Sequence, residues 1–196
     1  MTLHISAGQR YVFGETRIGN PDGRTNPAYV RELLTFQQGE TYSRAAVDET
    51  TEALRATGLF STISISSGNP QGGALPQEIE LTEREARTIR LGASWSTAEG
   101  AGVRGSWEHR NLFGAAEKIT LGLSIAQIEQ SATADFRKPH FLRPDQSLLA
   151  SAEIAHEESD AYKEDRARAG VSLERVLTER WTGSLGVTFQ LTETTD

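Results

Sequence analysis

The side chains able to do chemistry are few and scattered. His4, His109, His140 and His156 never fall at the His-Glu-x-x-His spacing that sets two imidazoles on one helical face for zinc, and the HEE triplet at 156–158 lacks its second histidine. Cysteine is absent from the 196 residues, which removes disulfides, thiolate metal sites and cysteine nucleophiles. No Gly-x-Ser-x-Gly elbow is present to expose a nucleophilic serine. The glycine-rich SGNPQGG at 67–73 would cradle a phosphate only ahead of a helix N-terminus; no helix start follows, so it reads as a hairpin turn. A net charge of -7 opposes a nucleic-acid surface, which needs a basic stripe. The residues therefore predict no enzyme, no metal, no cofactor and no nucleic-acid partner.

The elements divide at about residue 86. Before it, helix and strand signals mix. Arg10–Ile18 reads as a strand closed by the turn-rich NPDGRTNP at 20–27. Asn26 offers an N-cap with Pro27 at the first helical position, and Tyr29, Val30, Leu33, Leu34 and Phe36 keep helical spacing until Gly39. Ser43 is a second N-cap; Val47, Thr50, Leu54 and Thr57 recur on one face, and Gly58 stands where a left-handed residue ends a helix. Phe60–Ser66 and Glu78–Glu83 alternate as strands. The order β-α-α-β-β gives a small α+β sheet with two helices to cover one face.

After residue 86 a two-residue period takes over in seven consecutive segments. Ile89, Leu91, Ala93 and Trp95 alternate with Arg90, Gly92 and Ser94, and Ile119, Leu121, Leu123 and Ile125 alternate with Lys118, Thr120, Gly122 and Ser124. Segments through Val103–Trp107, Ala132–Phe136, Leu148–Ile154, Ala167–Leu173 and Leu185–Leu191 obey the same rule. Short connections make this an antiparallel meander. No run approaches the ~18–20 apolar residues of a membrane helix, and Met1–Arg10 lacks the basic start and apolar stretch of a secretory signal. Two-faced alternation describes soluble sandwiches, lipocalin-like barrels and transmembrane barrels alike. Three details favour the membrane: full charges near the centres of the polar faces (Arg104, Glu108, Asp135, Arg137, Arg166, Arg168), tryptophans near the strand ends (Trp95, Trp107, Trp181), and two kinds of connection. Those after the second, fourth and sixth segments are NLFGAAEK, HFLRPDQ and LTER; those after the third and fifth are IEQSA and the acidic EESDAYKED.

Several of these stretches are familiar. GLFSTISI at 58–65 and GQRYVFGETRIGN at 8–20 resemble the signature and first strand of POTRA domains. WSTAEGAGVRGSWEHRNLFGAAEKI at 95–119 and DFRKPHFLRPDQSL at 135–148 resemble the opening hairpins of the BamA/TamA outer-membrane assembly superfamily, also called the bacterial surface antigen family, and among its branches the autotransporter-assembly one typified by TamA. The likeness spans nearly the whole chain; RNLFG and FRKPHFLRPDQ are its most specific parts. It implies a POTRA tail at 1–8, a POTRA domain at 9–86 and the first seven strands of an outer-membrane barrel at 87–196. Family barrels have sixteen strands, so the resemblance implies a piece truncated at both ends. It places the first part in the bacterial periplasm and the second in the outer membrane. A Val-Arg-Gly motif of the family lies in a later loop; here Val103-Arg104-Gly105 sits mid-strand, and Arg104 reads as a lumenal charge.

The resemblance also supplies the functional expectations. The first barrel strand, Ile89, Arg90, Leu91, Gly92, Ala93, Ser94 and Trp95, would be the gate strand that pairs with a client. The POTRA edge strand, Ser61, Thr62, Ile63, Ser64, Ile65 and Ser66, would accept an extended segment as one more strand; a merely solvated or covered edge is the competing reading. Arg104, Glu108, Arg110, Asp135 and Arg137 form a lumenal charge set with ion pairs among them. The partners implied are unfolded outer-membrane β-barrel or autotransporter clients, outer-membrane lipid and a periplasm-spanning partner protein. A two-partner secretion transporter or BamA itself is the near alternative, and a soluble α+β binding module with a β-sandwich the distant one.

Overall fold

A computed structural model of the chain describes residues 9–20, 23–97, 100–159, 162–178 and 180–195. The expected domain tail at 1–8 lies outside them. The chain divides into two compact units, Met1–Arg84 and Glu85–Asp196.

The first unit runs β1 (Val12–Gly19), α1 (Pro27–Glu32), α2 (Arg44–Ala56), β2 (Phe60–Ser67) and β3 (Ala74–Glu83). Its sheet has the order β1-β3-β2, with β1 parallel and β2 antiparallel to the central β3. On β3 the strand period buries Gln77, Ile79 and Leu81 and exposes the residues between them. α2 starts where the Ser43 side chain accepts from the Ala46 N–H, and buries Val47, Thr50 and Leu54 at i, i+3 and i+7. The chain leaves it through Gly58 at φ 68°, a left-handed position that suits glycine.

Two elements differ from the sequence reading. α1 stops at Glu32 instead of running to Gly39. The Thr35 N–H and hydroxyl are taken by the Thr50 hydroxyl (3.1 Å) and the Ala46 carbonyl (2.7 Å) of α2, which draws the backbone off the helical path. Phe36 is then free to stack on Phe13, with centroids 4.1 Å apart and planes 10° from parallel. That ring pair, with Val47, is the seed of a buried cluster that Tyr42 and Ile65 complete. β3 begins at Ala74 and not Glu78, because β1 supplies partners from the Val12–Ala74 pair onward. At the bulge in β1 a Cβ on Gly14 would lie 2.8 Å from the Pro76 nitrogen, so only glycine permits this approach of the two strands.

The second unit is one seven-stranded antiparallel sheet in sequence order: β4 (Arg87–Ser96), β5 (Gly100–Arg110), β6 (Lys118–Ala126), β7 (Glu129–Lys138), β8 (Gln146–Glu158), β9 (Lys163–Thr178) and β10 (Trp181–Thr195). The connection expected at IEQSA shrinks to Gln127-Ile128, since Glu129 to Ala132 already pair with β8. Most of EESDAYKED is likewise paired, as β8 and β9 stay in register out to Glu158–Lys163.

Register turns alternation into continuous rows. Thr88, Glu108, Thr120, Asp135, Ser151, Gly170 and Thr188 lie side by side across all seven strands, with no large apolar residue among them. The next row, on the opposite face, is Ile89, Trp107, Leu121, Ala134, Ala152, Ala169 and Phe189, and is wholly apolar. That apolar face is bare: Leu91 is 85% exposed, Leu185 81% and Val187 78%. Water does not tolerate a contiguous apolar surface of this extent. On β9 it is bracketed by Asp165 and Arg175, ten residues apart. At ~3.3 Å per residue and a tilt of ~40°, this spans ~25 Å, the height of the apolar band on a transmembrane barrel.

In the first unit Glu83 ties the chain after β1 to the end of β3. Its carboxylate accepts from the Asn20 side chain (2.9 Å), the Thr25 N–H (2.7 Å) and the Thr25 hydroxyl, and Thr25 is buried. Burial alone would raise the Glu83 pKa, but these hydrogen bonds outweigh it and hold the carboxyl below its ordinary 4.5. A carboxylate lowered in this way adds stability that is fully present above the unfolded value and is lost as pH falls through the folded value. Residues 9–86 should unfold cooperatively as an isolated domain, and Glu83→Gln should cost about 1–3 kcal/mol at neutral pH. In urea titrations the difference between wild type and Glu83→Gln should shrink as pH falls below about 4.5.

Candidate functional site

Strand ends and sheet edges, not a cleft, bring the functional candidates together. β4 and β10 end the seven-stranded sheet; one side of β4 pairs with β5, and among the described residues no strand pairs with the other. Its pairing with β5 is unbroken from Arg87–His109 to Ser96–Gly100. A Cβ at Gly92 would meet only the Arg104 side chain, at 3.4 Å, so the glycine gives that long side chain a surface to cross. Arg90, Gly92 and Ser94 share the polar face with Arg104; Ile89, Leu91, Ala93 and Trp95 share the apolar one.

The candidate segment Ser61–Ser66 is in β2, an edge of the first unit's sheet. Ile63 and Ile65 turn toward the core, and Ser61, Thr62, Ser64 and Ser66 are exposed. This edge offers hydrogen-bonding backbone and a polar, small-residue surface.

The expected lumenal set is only partly assembled. Glu108 is its centre, with a side chain 6% exposed and three cations on it: Arg110 at 2.8 Å, Lys118 at 3.0 Å and Arg90 at 3.4 Å. Arg110 also donates to the Thr88 hydroxyl at 2.7 Å, so the cluster bolts β4, β5 and β6 together. Arg137 pairs with Glu174 at 2.6 Å and donates to Ser147 at 3.1 Å, spanning β7 to β9. Arg104 and Asp135 share the polar face but make no ion pair among the described residues, contrary to expectation. A groove of about 460 Å³ opens on this face where Ser151, Gly170 and Gly186 leave room beside Asp135 and Arg137.

Sequence reasoning missed Arg90 and Lys118 as Glu108 partners, since only strand register shows that they converge. It also missed Glu117. This carboxylate is 2% exposed and accepts from the backbone N–H groups of Phe113 (3.2 Å) and Ala115 (3.0 Å), while Asn111 accepts from the Ala116 N–H (3.0 Å). Asn111 and Ala116 both have positive φ, so the two side chains brace a strained turn. The NLFGAAEK stretch carried this signal, an Asn and a Glu bracketing a Gly turn. Among the described residues no group of three or more His, Asp or Glu is placed to hold a metal ion.

Comparison with known proteins fits this geometry. Residues 11–84 match the POTRA family, described as a surface antigen variable number repeat, and residues 111–196 match the Omp85 superfamily domain. The two matches join a POTRA repeat to an Omp85 superfamily domain in one chain. It is 26% identical over 200 residues to outer envelope protein 80, chloroplastic, of Oryza sativa subsp. japonica, a match covering 91% of this chain and 30% of that protein. It is 20% identical to the outer membrane protein assembly factor BamA of Neorickettsia risticii, over 79% of this chain and 20% of that one. The chain thus spans about a third or less of these relatives. Among solved structures, BamA from Haemophilus ducreyi lacking POTRA domains 1–3 superposes with a TM-score of 0.81 at 18% identity, covering 94% of this chain and 36% of that one. CdiB from Acinetobacter baumannii gives 0.63 at 14% identity, over 96% and 39%. The first unit is a periplasmic POTRA domain, and the second is an antiparallel stretch of Omp85 barrel in the outer membrane. With these matches, the bare apolar face sets aside the soluble binding module.

The Glu108 cluster gives a contrast between two acidic residues in one row. In the full-length protein folded in detergent, Glu108→Gln should leave three crowded cations and destabilise the barrel by about 1.5–3 kcal/mol. Asp135→Asn, which breaks no ion pair, should leave stability within about 0.5 kcal/mol of wild type. The temperature at which the folded band disappears in unheated-to-heated gel electrophoresis reads both.

Proposed function

We propose that this protein is a non-enzymatic insertion factor that places β-barrel or autotransporter clients in the outer membrane by strand pairing at β4. The reading is supported by the POTRA and Omp85 matches and by β4 itself, the first strand after the POTRA domain, apolar outward and polar inward and held in strand geometry along its length by β5. A client strand that adds there satisfies its backbone groups while it enters the hydrocarbon, where each unpaired group costs several kcal/mol. No nucleotide or cofactor is called for, because client folding itself supplies the free energy. The Glu108 cluster anchors the foot of β4 while its upper half, past Gly92, carries no side-chain tie to β5 among those described. The β2 edge of the POTRA domain would hold an extended client, or a periplasm-spanning partner protein, by the same backbone chemistry. A two-partner secretion transporter of the same superfamily is the second reading. It shares the architecture and differs in passing its client through the barrel.

Topology follows from chain order. With β4 rising from the periplasm, β6, β8 and β10 also leave it and β5, β7 and β9 return, so the β8–β9 connection is outside while the NLFGAAEK and HFLRPDQ turns are periplasmic. An epitope inserted in the β8–β9 connection of the full-length protein should be labelled on intact cells; labelling only after the outer membrane is permeabilised would invert the arrangement.

Pairing at the gate is tested with cysteines, since the chain has none of its own. Single cysteines at Arg90, Gly92 and Ser94 should form disulfides with cysteines in a client's terminal strand, advancing two client residues for every two on β4. The same substitutions at Thr120, Gly122 and Ser124 on β6, which is paired on both sides, should give none. Equal cross-linking on the two strands, or none on either during insertion, would reject the gate.

A further inference from the structure

The polar face of β4 is crossed by a side chain from its neighbour. The strand's own polar residues turn back toward β5: Arg90 pairs with Glu108 at 3.4 Å, and the Ser94 hydroxyl stands 3.0 Å from where a Cβ on Gly102 would lie. Between them Gly92 leaves bare backbone. Arg104, directly opposite on β5, leans over it, with Cγ and Cδ 3.4 and 3.9 Å from the position of the missing Cβ. Among the described residues nothing else on a neighbouring strand fills that space. The aliphatic stem thus covers the glycine and carries the guanidinium over β4. Arg104 makes no ion pair among the described residues, and Glu108, the carboxylate of its own strand, already holds three cations. The registered row that runs from Gly92 through Arg104 to Arg166 and Thr192 holds two arginines and no carboxylate. Arg166 has acids of its own, Glu153 at 3.5 Å and Glu164 at 3.3 Å.

We propose that Arg104 is a specificity-determining residue of the pairing site, selecting strands that place an aspartate or glutamate in the lumen-facing position opposite Gly92. The assignment rests on client pairing at β4. On such a strand the residue opposite Gly92 has its Cβ ~4.5–5.5 Å away, so a carboxylate there meets a guanidinium that already spans the glycine. Backbone pairing supplies affinity but is indifferent to side chains, and a strand can slip along it. One ion pair at one position gives both a preference and a register. Arginine suits the role, because its charge persists at every physiological pH and its planar fork takes a carboxylate through two hydrogen bonds.

The test uses the full-length protein in detergent, with Ser94→Cys as its single cysteine. The probes are peptides of about eleven residues, the length of one barrel strand, alternating threonine and leucine, with cysteine in place of one threonine. The threonine two places toward the C-terminus, which an antiparallel strand sets opposite Gly92 once the disulfide forms, is changed to Asp, Asn or Lys. In equimolar competition the Asp peptide should cross-link about two- to fivefold more than the Asn peptide, the discrimination of an exposed ion pair, and the Lys peptide less than either. Arg104→Gln should level the three, and Arg104→Glu should favour Lys. With Arg104 in place, about 1 M salt should shrink the preference. Moving the Asp two places to the other side of the cysteine should remove it. Each variant is checked for a folded, heat-modifiable band, which loss of a charge that makes no ion pair should preserve. Equal cross-linking by the three peptides at Ser94→Cys, with none at Ser124→Cys on β6, would leave pairing at β4 standing and overturn the role of Arg104. A preference that survives Arg104→Gln would overturn it as well. No disulfide from any peptide would reject both the gate and the selection built on it.

Discussion

Inside hydrocarbon there is no water to satisfy a peptide group, and this demand on the backbone governs the second unit. Every N–H and C=O between the membrane borders needs a neighbouring strand, which forces the chain into an unbroken ladder. The ladder in turn fixes side-chain direction, because a slip of one residue would carry every leucine inward and every arginine into lipid. The registers from β4 to β10, shifted only between Trp181 and Thr182, and the two opposed rows that cross all seven strands are one fact seen twice.

The polar face answers a different problem. Charges that no dry core would hold are set there in ion-paired groups that tie three strands at a time, Glu108 across β4 to β6 and Arg137 across β7 to β9. Arg104 and Asp135 make no such ion pair among the described residues. Where Gly170 and Gly186 thin this face, the ladder loses side-chain support but gains lumenal space. Among the described residues the side-chain ties between β4 and β5 gather at the Glu108 end of the pair.

The POTRA domain solves the small-domain problem with one ring stack and one carboxylate. Phe13 and Phe36 join β1 to the segment after α1, with α2 closing over them, and Glu83 holds the ends of the outer strand and the central strand against the loop between them. Both devices act between residues far apart in the chain. Neither involves the outer side of β2, which no described strand pairs.

What the sequence determined by itself was everything that depends on local period and local caps. Alternation of Ile119 to Ile125 defines a strand and its two faces wherever that strand lies, and Asn26, Ser43 and Gly58 mark helix ends through bonds made within a few residues. The family motifs, RNLFG and FRKPHFLRPDQ, were legible for the same reason, being contiguous. Tertiary structure alone decided the end of α1, since the groups that pull Thr35 and Phe36 away come from α2 and β1. It also decided which charges meet. Arg90, Glu108 and Lys118 are separated by ten or more residues, and only register puts them within hydrogen-bonding reach, whereas Arg104 and Asp135, equally promising as sequence, face no opposite charge across the strands among the described residues. Period is a property of neighbouring residues, but an ion pair or a groove depends on what the adjacent strand places across from it.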